Sequence, residues 1–471
     1  MRNKSNQQLG LSADAHDIIY TIMLDKFKTM GRTALDKAKE SAKQAAAEAK
    51  ANVKQQPQGE TQYIVALDIG TEFVKALIGK ISPNEGDIEI VGVGRKHQAL
   101  TDMQSGAISD ISSVAENCDQ ALAQAEEQAG VSVRTAVIGI AGELVKGTTT
   151  TVRVARKVGD KPLDVAEMER IIKLVQSRAE AKAKQQLAVE LGGKEVDVRL
   201  VNSALVSIEI DGYPVANPIG FQGKNVVVQL YTAFAPLIHI GALERTAQQL
   251  DLDLLAVAAE PFAVARSVVG DDPNATLNAI LMDVGGGTTD IAVINDGGVQ
   301  GTKMFGIGGR AYTRSIERDL GISFEQAEKL KLALATDQLS DKKRRAVVEK
   351  SLQKTLDVWT SGVELALGEF EKLDHLPYRL YLCGGGSSLD MLMDSLEETD
   401  WYKDLPFTRK PVIKHIQPGQ VVGIKDTTGD VADHTFITAM GLLRVGMDTL
   451  HFAGPSGAAG IREKLDRMLR V

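Results

Sequence analysis

The apolar residues of this chain come mostly in continuous runs and only rarely alternate with polar ones. YIVALDIG (63–70), VKALIGKI (74–81) and RTAVIGIAG (134–142) are such runs, rich in Val and Ile. Runs of this kind are typical of strands that are covered on both faces. ISSVAENCDQALAQAEEQAG (111–130) instead has helical spacing and ends at a glycine. The pattern therefore predicts an α/β fold around a largely buried sheet.

A second unit of the same design follows later in the chain. AILMDVGGGTTDIAVINDGG (279–298) has the order strand, aspartate, glycine turn and strand, and so does the unit around LDIGTEFVKALIGK (67–80). Two such units predict an internally duplicated α/β fold. Residues 143–232 have the pattern of a separate α+β module, and residues 311–375 are mostly helical.

Three glycine turns follow predicted strands, at DIGT (68–71), DVGGGTTD (283–290) and CGGGSS (383–388). Glycine permits positive φ and lets backbone N–H groups approach a ligand closely. Consecutive N–H groups in such turns form nests for phosphate oxygens, and the threonines of the first two turns can add hydroxyl donors. One glycine turn alone is more often an ordinary β-turn. Three of them in this order and spacing predict a phosphate site.

Two carboxylates, Asp68 and Asp283, end the two equivalent strands. Buried like charges repel each other and need a counter-charge. Mg²⁺ can supply it, held mostly through water and by few direct carboxylates. Lys75 on the following strand is then placed to reach the β- and γ-phosphates of a nucleotide.

The three turns together resemble the phosphate 1, phosphate 2 and adenosine motifs of the actin-like ATPase superfamily, which implies ATP and Mg²⁺ as cofactors. AEPFAVA (259–265) resembles its connecting segment. That resemblance implies that Glu260 orients the attacking water, with Asp68 and Asp283 as the other catalytic residues and as the holders of Mg²⁺. The implied nucleotide-binding residues are Gly70, Thr71, Lys75, Gly285, Gly286, Gly287, Thr288, Thr289, Gly308, Gly309, Glu328, Lys331, Gly384, Gly385, Gly386 and Ser387.

Of these residues, Gly308 and Gly309 come from FGIGGR (305–310), which resembles the segment that borders the nucleotide. Glu328 and Lys331 come from FEQAEKLK (324–331), which resembles the helix that packs on the adenosine. An ordinary solvated helix face is the alternative for the last two.

Within the superfamily, residues 61–450 resemble the bacterial cell-division family FtsA. The resemblance rests on DVGGGTTDIAVINDGG, on GIGGRAYTRSIERDLGISFEQAEKLK and on VANPIGFQGKNVVVQLY, which resembles the end of the FtsA subdomain 1C. It implies an actin-like fold of two duplicated α/β domains around a nucleotide cleft, with an inserted α+β subdomain 1C. The implied organisation is 1–60 helical or flexible extension, 61–142 subdomain 1A, 143–232 subdomain 1C, 233–270 subdomain 1A, 271–307 subdomain 2A, 308–376 subdomain 2B, 377–431 subdomain 2A, 432–453 closing helix of 1A and 454–471 linker and amphipathic helix.

The resemblance implies a cell-division protein that polymerises on the cytoplasmic face of the membrane at the division site. Its partner there would be the tubulin-like FtsZ, whose C-terminal tail subdomain 2B would receive. Turnover of ATP would be slow at most. A pilus-assembly scaffold of the PilM type, with the same fold, is the nearest alternative. A metabolic kinase would need a substrate pocket with a catalytic base, which residues 143–232 do not suggest.

The composition and charge of the chain also limit the classes of ligand that it can bind. The chain has 471 residues, 44% hydrophobic, and a net charge of −8. Residues 1–60 carry +3 and residues 454–471 carry +2, so the body carries −13. An acidic body argues against nucleic-acid binding, and basic ends suggest an anionic surface. Two cysteines indicate no disulfide framework, and the seven histidines have no metal-ligand spacing.

The last eleven residues, IREKLDRMLRV (461–471), predict an amphipathic helix. At about 100° per residue, Ile461, Leu465, Met468 and Leu469 form one apolar stripe flanked by basic residues. Such a helix can lie in a membrane interface, with about 1 kcal/mol from each basic residue near an anionic leaflet. It lacks the bulky aromatic residues usual in FtsA, so one copy should bind weakly, and polymerisation would supply avidity. Residues 18–30 could form a second contact; docking of the C-terminal helix on the protein itself is the alternative.

We therefore expect that deleting 461–471 strongly lowers sedimentation with anionic liposomes while ATP binding is unchanged. Leu465→Glu should have the same effect, because it places one charge in the apolar stripe. If both variants sediment like the parent, the C-terminal helix is not the anchor and the N-terminal extension becomes the better candidate.

Overall fold

The computed structural model describes residues 62–81, 87–143, 145–269 and 277–452. The predicted N-terminal extension and C-terminal amphipathic helix lie outside the described residues. In the described part, the strands are β1 Gln62–Ile69, β2 Phe73–Ile81, β3 Ile88–His97, β4 Met103–Gln104, β5 Ala107–Ile108, β6 Thr135–Ile140, β7 Lys146–Ala155, β8 Val198–Ile210, β9 Tyr213–Pro214, β10 Asn225–Pro236, β11 Asp253–Ala259, β12 Ala279–Val284, β13 Thr289–Asn295, β14 Gly298–Phe305, β15 Arg379–Cys383, β16 Val412–His415 and β17 Ile424–Asp426.

The helices of the same part alternate with these strands. They are α1 Ile111–Ala129, α2 Val165–Glu190, α3 Leu237–Gln249, α4 Glu260–Val269, α5 Gly309–Leu320, α6 Phe324–Ala335, α7 Lys342–Gly368, α8 Asp390–Glu398 and α9 Ile437–Phe452. Three short 3₁₀ turns occur at Gly385–Ser388, Pro418–Gln420 and His434–Phe436. No helix among the described residues is both long and apolar enough to cross a bilayer.

The strand order shows the duplication that the sequence predicted. One sheet has the order β11-β6-β1-β2-β3-β17, and the larger sheet begins β16-β15-β12-β13-β14. In both sheets the central hairpin, β1–β2 or β12–β13, is antiparallel. The first strand of each hairpin also pairs in parallel with its other neighbour, β1 with β6 and β12 with β15. We call the part built on the first sheet the first lobe. The second lobe is the part built on β12 to β16 with α5 to α8.

The two central hairpins have matching registers. Asp68 on β1 lies opposite Lys75 on β2, and Asp283 on β12 lies opposite Asp290 on β13. In each hairpin the facing residue comes seven positions after the strand-end aspartate. The same backbone position therefore carries an ammonium in the first lobe and a carboxyl in the second.

The larger sheet continues into the segment predicted as an insertion. After β14 its order runs β7-β10-β8-β9, and the join is a pairing of Gly301 on β14 with Thr148 on β7. We call β7 to β10 with α2 the inserted module. Its strand β10 runs without a break through residue 232, where the insertion was predicted to end, up to Pro236. The division into subdomains remains a prediction.

Strand β12 of the second lobe is buried on both faces, as its sequence predicted. Ala279 and Leu281 of β12 lie in a core shared with the first lobe, whereas Ile280 and Met282 face a core beneath α5 to α8. The inserted module has its own core between α2 and its strands, which includes Met168. The inserted module therefore has an interior of its own beside α2, whereas the first lobe shares its core with one face of β12.

Helix α1 packs very closely on β3, and two glycines make this possible. A Cβ built on Gly94 would lie only 1.8 Å from the carbonyl oxygen of Ala121 in α1, and one on Gly92 would lie 2.1 Å from that of Ala125. Backbone atoms cannot move aside as side chains do, so a larger residue would push the helix off the sheet.

We expect Gly94→Ala to lower the free energy of unfolding by about 1–3 kcal/mol, because it overpacks this contact. Gly241→Ala is the matched control. Gly241 lies in α3 with nothing within 4 Å of its built Cβ, and replacing a helical glycine by alanine should stabilise by roughly 0.5–1 kcal/mol. Chemical denaturation of both variants checks the pair, and equal stabilities would contradict the contact.

Candidate functional site

Lys75 and Asp68 form a buried ion pair where β1 and β2 face each other. The Lys75 Nζ lies 2.9 Å from Asp68 Oδ2, and the two side chains are 13% and 5% exposed. Burial alone would lower the pKa of the Lys75 ammonium, but the negative charges of Asp68 and Asp283 outweigh it and raise that pKa. Lys75 is therefore a fixed cation between the two strand-end aspartates.

Asp283 and Asp290 occupy the equivalent positions of the second lobe, and both are buried. Thr438 of α9 donates its hydroxyl to Asp283 Oδ2. Thr288 donates to Asp290 Oδ2 at 2.9 Å, while Asp290 Oδ1 is buried and has no partner among the described residues. Burial raises the pKa of both carboxyls, Asp290 most strongly with the nearby charge of Asp283 adding to the effect.

Glu260 joins this cluster from the first lobe. It is the first residue of α4, directly after β11, and it is 7% exposed. A Cβ built on Gly139 of β6 would lie 2.8 Å from its Oε1, so the neighbouring strand leaves room for the carboxyl. Burial, followed by the charges of Asp68, Asp290 and Asp283, raises the pKa of Glu260 well above its ordinary value.

The balance of charge in this cluster favours a bound cation. Four buried carboxyls form one interacting cluster with the ammonium of Lys75, which contacts Asp68 directly, and Arg95 is the register partner of Lys75 on β3. Like charges at low dielectric disfavour each other's ionisation, and Asp290 Oδ1 has no hydrogen-bond donor. No group of three or more Asp, Glu, His or Cys among the described residues is arranged to hold a metal directly. The residues therefore fit Mg²⁺ that keeps most of its water ligands.

The glycine turns meet beside these carboxyls. A Cβ built on Gly287 would lie 2.7 Å from Thr71 Oγ1, so the first and second turns touch. A Cβ on Gly308 or Gly386 would lie 2.6 or 2.9 Å from the carbonyl oxygen of Gly285. The structure thus brings all four predicted glycine segments, including the one that holds Gly70, to one place between the lobes.

The backbone of these turns is suited to an anion. In the described part of the chain, the N–H groups of Thr71, Gly286 and Gly287 donate to no protein acceptor. Free, convergent N–H groups of this kind form a nest for phosphate oxygens. Gly384 has φ of +80°, and its Cβ would lie 2.0 Å from Asp283 Oδ1. A side chain there would block the carboxylate, so glycine is required.

One predicted ligand, Thr289, is engaged elsewhere in the structure. Its hydroxyl donates to Ile307 O at 2.7 Å and accepts from Trp359 Nε1 at 2.9 Å, so it is not brought together with the other ligands. Successive residues of an extended chain face opposite ways, which explains why Thr288 and Thr289 differ. Gly385 and Ser387 lie in a 3₁₀ turn, and α8 begins at Asp390, after the extended Leu389.

Glu328 and Lys331 lie on α6 and hold the start of α5. Lys331 Nζ pairs with Glu328 at 2.8 Å and donates to Gly309 O at 3.1 Å. Lys331 is 8% exposed, so the alternative of a solvated helix face is wrong for it. Lys331 therefore borders the segment with Gly308 and Gly309, and the polar atoms of both side chains are engaged by protein groups.

Sequence reasoning missed two residues, Asp290 and Arg310. Asp290 could have been found, since it stands seven residues after Asp283 as Lys75 stands seven after Asp68. Arg310 of α5 reaches across to the first lobe, where its guanidinium pairs with Glu72 at 2.8 Å and donates to Thr71 O at 2.6 Å. Its sequence neighbours gave no sign of this contact between the lobes.

Comparison with known proteins agrees with the predicted family. The model of the family described as cell division protein FtsA matches residues 280–441. Cell division protein FtsA of Pseudomonas aeruginosa is 25% identical over 403 residues, covering 82% of this chain and 89% of that protein. FtsA of Neisseria meningitidis is 24% identical, covering 82% and 90%, and FtsA of Bacillus subtilis is 27% identical over 57% of each chain.

A solved structure shares the fold. The PilM-PilN type IV pilus biogenesis complex contains a chain that superposes with a TM-score of 0.58 at 17% identity, covering 83% of this chain and 99% of that one. At that identity the likeness concerns the fold alone. Together with the duplicated sheets, it confirms the predicted fold class. The chain is therefore similar in sequence to the FtsA cell-division proteins and has the fold of the actin-like ATPases.

Proposed function

We propose that this chain binds Mg·ATP between its lobes and acts in cell division by tethering FtsZ to the cytoplasmic face of the membrane. One observation carries the nucleotide part of the proposal. The glycine turns of two duplicated hairpins meet at a cluster of buried carboxyls with a single central lysine. The relatedness to FtsA proteins supports the cell-division part.

The residues of the cleft have distinct tasks in this proposal. Asp68 and Asp283 hold the metal's water ligands, and the Lys75 ammonium meets the phosphates. The free N–H groups of Gly286 and Gly287 bind phosphate oxygens. When bound, Mg²⁺ neutralises the charge of the phosphates. The same cation would lower the pKa of Glu260. Without it, the raised pKa favours the protonated carboxyl, which cannot act as a base toward water.

The nucleotide is proposed to act mainly as a switch, with slow hydrolysis. Arg310 joins the two lobes next to the phosphate turn, through Glu72 and the Thr71 carbonyl. A ligand that binds both turns would stabilise the closed arrangement of the lobes. Closure would then favour self-association into filaments, with residues 143–232 as one contact and residues 308–376 as the site for the FtsZ tail.

Membrane attachment is assigned to the C-terminal helix, with the N-terminal extension as a possible second contact. Both lie outside the described residues, so the proposal rests on their sequence. A pilus-assembly scaffold is the second candidate, because the PilM chain has the same fold. Retention of PilN rather than FtsZ by the purified protein would favour it.

We expect Asp283→Ala to weaken Mg·ATP binding at least tenfold by calorimetry, because it removes one of the two strand-end carboxylates. We expect the parent to carry FtsZ down with anionic liposomes in an ATP-dependent way, and Asp283→Ala to lose this effect. Asp394→Asn, an exposed change on α8, is the matched control and should behave like the parent.

Two outcomes separate the parts of this proposal. Unchanged ATP affinity in Asp283→Ala would refute the cleft assignment. Normal ATP binding by the parent, with FtsZ remaining in the supernatant, would refute the tethering function and leave the nucleotide site intact.

A prediction about pH concerns Asp290. We expect Asp290→Asn to raise the free energy of unfolding of the nucleotide-free protein near neutral pH, because the amide carries no charge at a position where burial disfavours the ionised carboxyl. The same change should abolish most of the Mg²⁺-dependent stabilisation by ATP. Thermal unfolding with and without Mg·ATP, again beside Asp394→Asn, measures both effects.

The sign of the first effect follows from the raised pKa of Asp290. Below the ordinary value of 3.8, the folded and unfolded states both hold the proton, so the carboxyl costs no stability. Above it the unfolded state loses the proton first, and the free energy of unfolding falls as pH rises. The difference in free energy of unfolding between Asp290→Asn and the parent should therefore vanish as pH falls toward that value. A difference that does not change with pH would contradict this account.

A further inference from the structure

A concave site lies in the inserted module, apart from the glycine turns. It has a volume of about 440 Å³ and is formed by the end of β7, the following loop and the first turns of α2. Ligand pockets in proteins range over roughly 300–1,000 Å³. Nothing in the proposed nucleotide chemistry uses this site, so it calls for a separate explanation.

The floor of this cavity is rigid. Arg156, whose side chain is 2% exposed, makes a bidentate pair with Glu167, with both N–O distances at 2.8 Å. Its third nitrogen donates to Gly223 O at 3.0 Å. The hydrogen bonds from Arg156 hold the pKa of Glu167 below its ordinary value. This pair stays charged at physiological pH, and it fixes α2 to the end of β7.

The loop that forms one wall is also held in place. Leu163 N donates to Phe221 O at 2.8 Å, and Gly220 N donates to Leu163 O at 2.9 Å. A wall fixed by paired backbone hydrogen bonds keeps its shape without a ligand. Binding of a partner in the cavity would therefore cost little conformational entropy in this loop.

The lining carries an excess of positive charge in an otherwise acidic chain. Four basic and two acidic residues line the cavity, and both acidic side chains already accept hydrogen bonds from the module itself. Glu167 pairs with Arg156, and Asp164 accepts the N–H of Glu167 at the start of α2. The remaining cations are Lys157, Lys161 and Arg170, which are exposed and form no ion pair with any described residue.

Apolar side chains lie beside these cations. Val158 and Leu174 line the cavity while 45% and 40% exposed, and Pro162, which directly follows Lys161, lines it too. These aliphatic side chains offer apolar contact next to positive charges, a combination that complements a ligand with one aliphatic group flanked by negative charges. No aromatic residue is among those lining this cavity, so it offers no stacking platform for nucleic-acid bases.

We propose that this cavity is a docking site for a short acidic peptide segment of a partner protein, with one aliphatic side chain as its anchor. The anchor would enter between Val158 and Leu174, and flanking carboxylates would meet Lys161 and Arg170. A membrane is the less suitable occupant, because a flat bilayer cannot fill a concave site. The inference is independent of the nucleotide site, since it uses none of the residues of the cleft.

The experiment uses the full-length protein and fluorescein-labelled hexapeptides of Asp and Glu around a single Leu. Anisotropy should report saturable binding by the parent that weakens at least threefold between about 50 and 300 mM NaCl, because screening of the charges strengthens over this range. Replacing the central Leu of the peptide by Ala should weaken binding, and replacing its acids by Lys should abolish it.

The variant Lys161→Glu/Arg170→Glu should weaken peptide binding at least tenfold. The matched control is Lys173→Glu, an exposed change on α2 three residues after Arg170 that does not line the cavity. Melting temperatures and Mg·ATP affinities equal to those of the parent would show that both variants are folded.

Three outcomes would overturn the proposal. The first is equal loss of binding in Lys173→Glu, which indicates a diffuse charge effect. In the second outcome, the parent does not bind the peptide and the double variant loses binding to anionic liposomes; the cavity is then part of a lipid-binding surface. In the third outcome, the parent does not bind the peptide and the double variant has a changed sedimentation coefficient; the cavity is then a contact between copies of the chain.

Discussion

The ion pair of Lys75 and Asp68 lies at the centre of the charge balance on which the cleft depends. One ammonium shares a buried cluster with four carboxyls, and burial raises the pKa of Asp283, Asp290 and Glu260. Such a cluster is unfavourable on its own, because each carboxyl opposes the ionisation of the others. Under the proposed function, a bound cation would relieve that cost, and the relief would contribute to the affinity for a metal–nucleotide complex. The N–H groups of the adjoining turns would then bind its anionic part.

The duplication of the hairpins places this cluster and also breaks its symmetry. Two copies of one strand-turn-strand unit bring Asp68 and Asp283 to equivalent strand ends facing each other across the lobes. At the seventh following position one copy has Lys75 and the other has Asp290. A lysine at both positions would leave no place for a metal, and a carboxyl at both would leave no cation for the phosphates. The difference at one position therefore gives the cleft two chemically distinct sides.

The sequence predicted much of this arrangement because strand runs, glycine turns and strand-end aspartates are local signals. The paired strands, the meeting of the glycine segments and the long apolar helix α9 all follow such signals. What it could not predict depends on contacts between distant residues. Arg310 joins Glu72 across 238 positions, and Thr438 reaches Asp283 across 155. The hydrogen bond between Thr289 and Trp359 depends on the register of β13. The pairing of β14 with β7 depends on how the edge strand of the second lobe meets the edge strand of the inserted module.

The inserted module is tied to the cleft through the residues just before Glu260. Asn202 of β8 accepts the N–H of Ala259 at 2.7 Å, and Tyr231 of β10 stacks on Phe262 of α4 with ring centroids 5.6 Å apart. These contacts fix both ends of the segment that carries Glu260. A shift of the module would move these packed contacts together and so displace the segment. Under the proposed function, a partner held at the outer end of the module would then bear on Glu260, the carboxyl proposed to orient water, which is a physical reason for an assembly surface on this insertion.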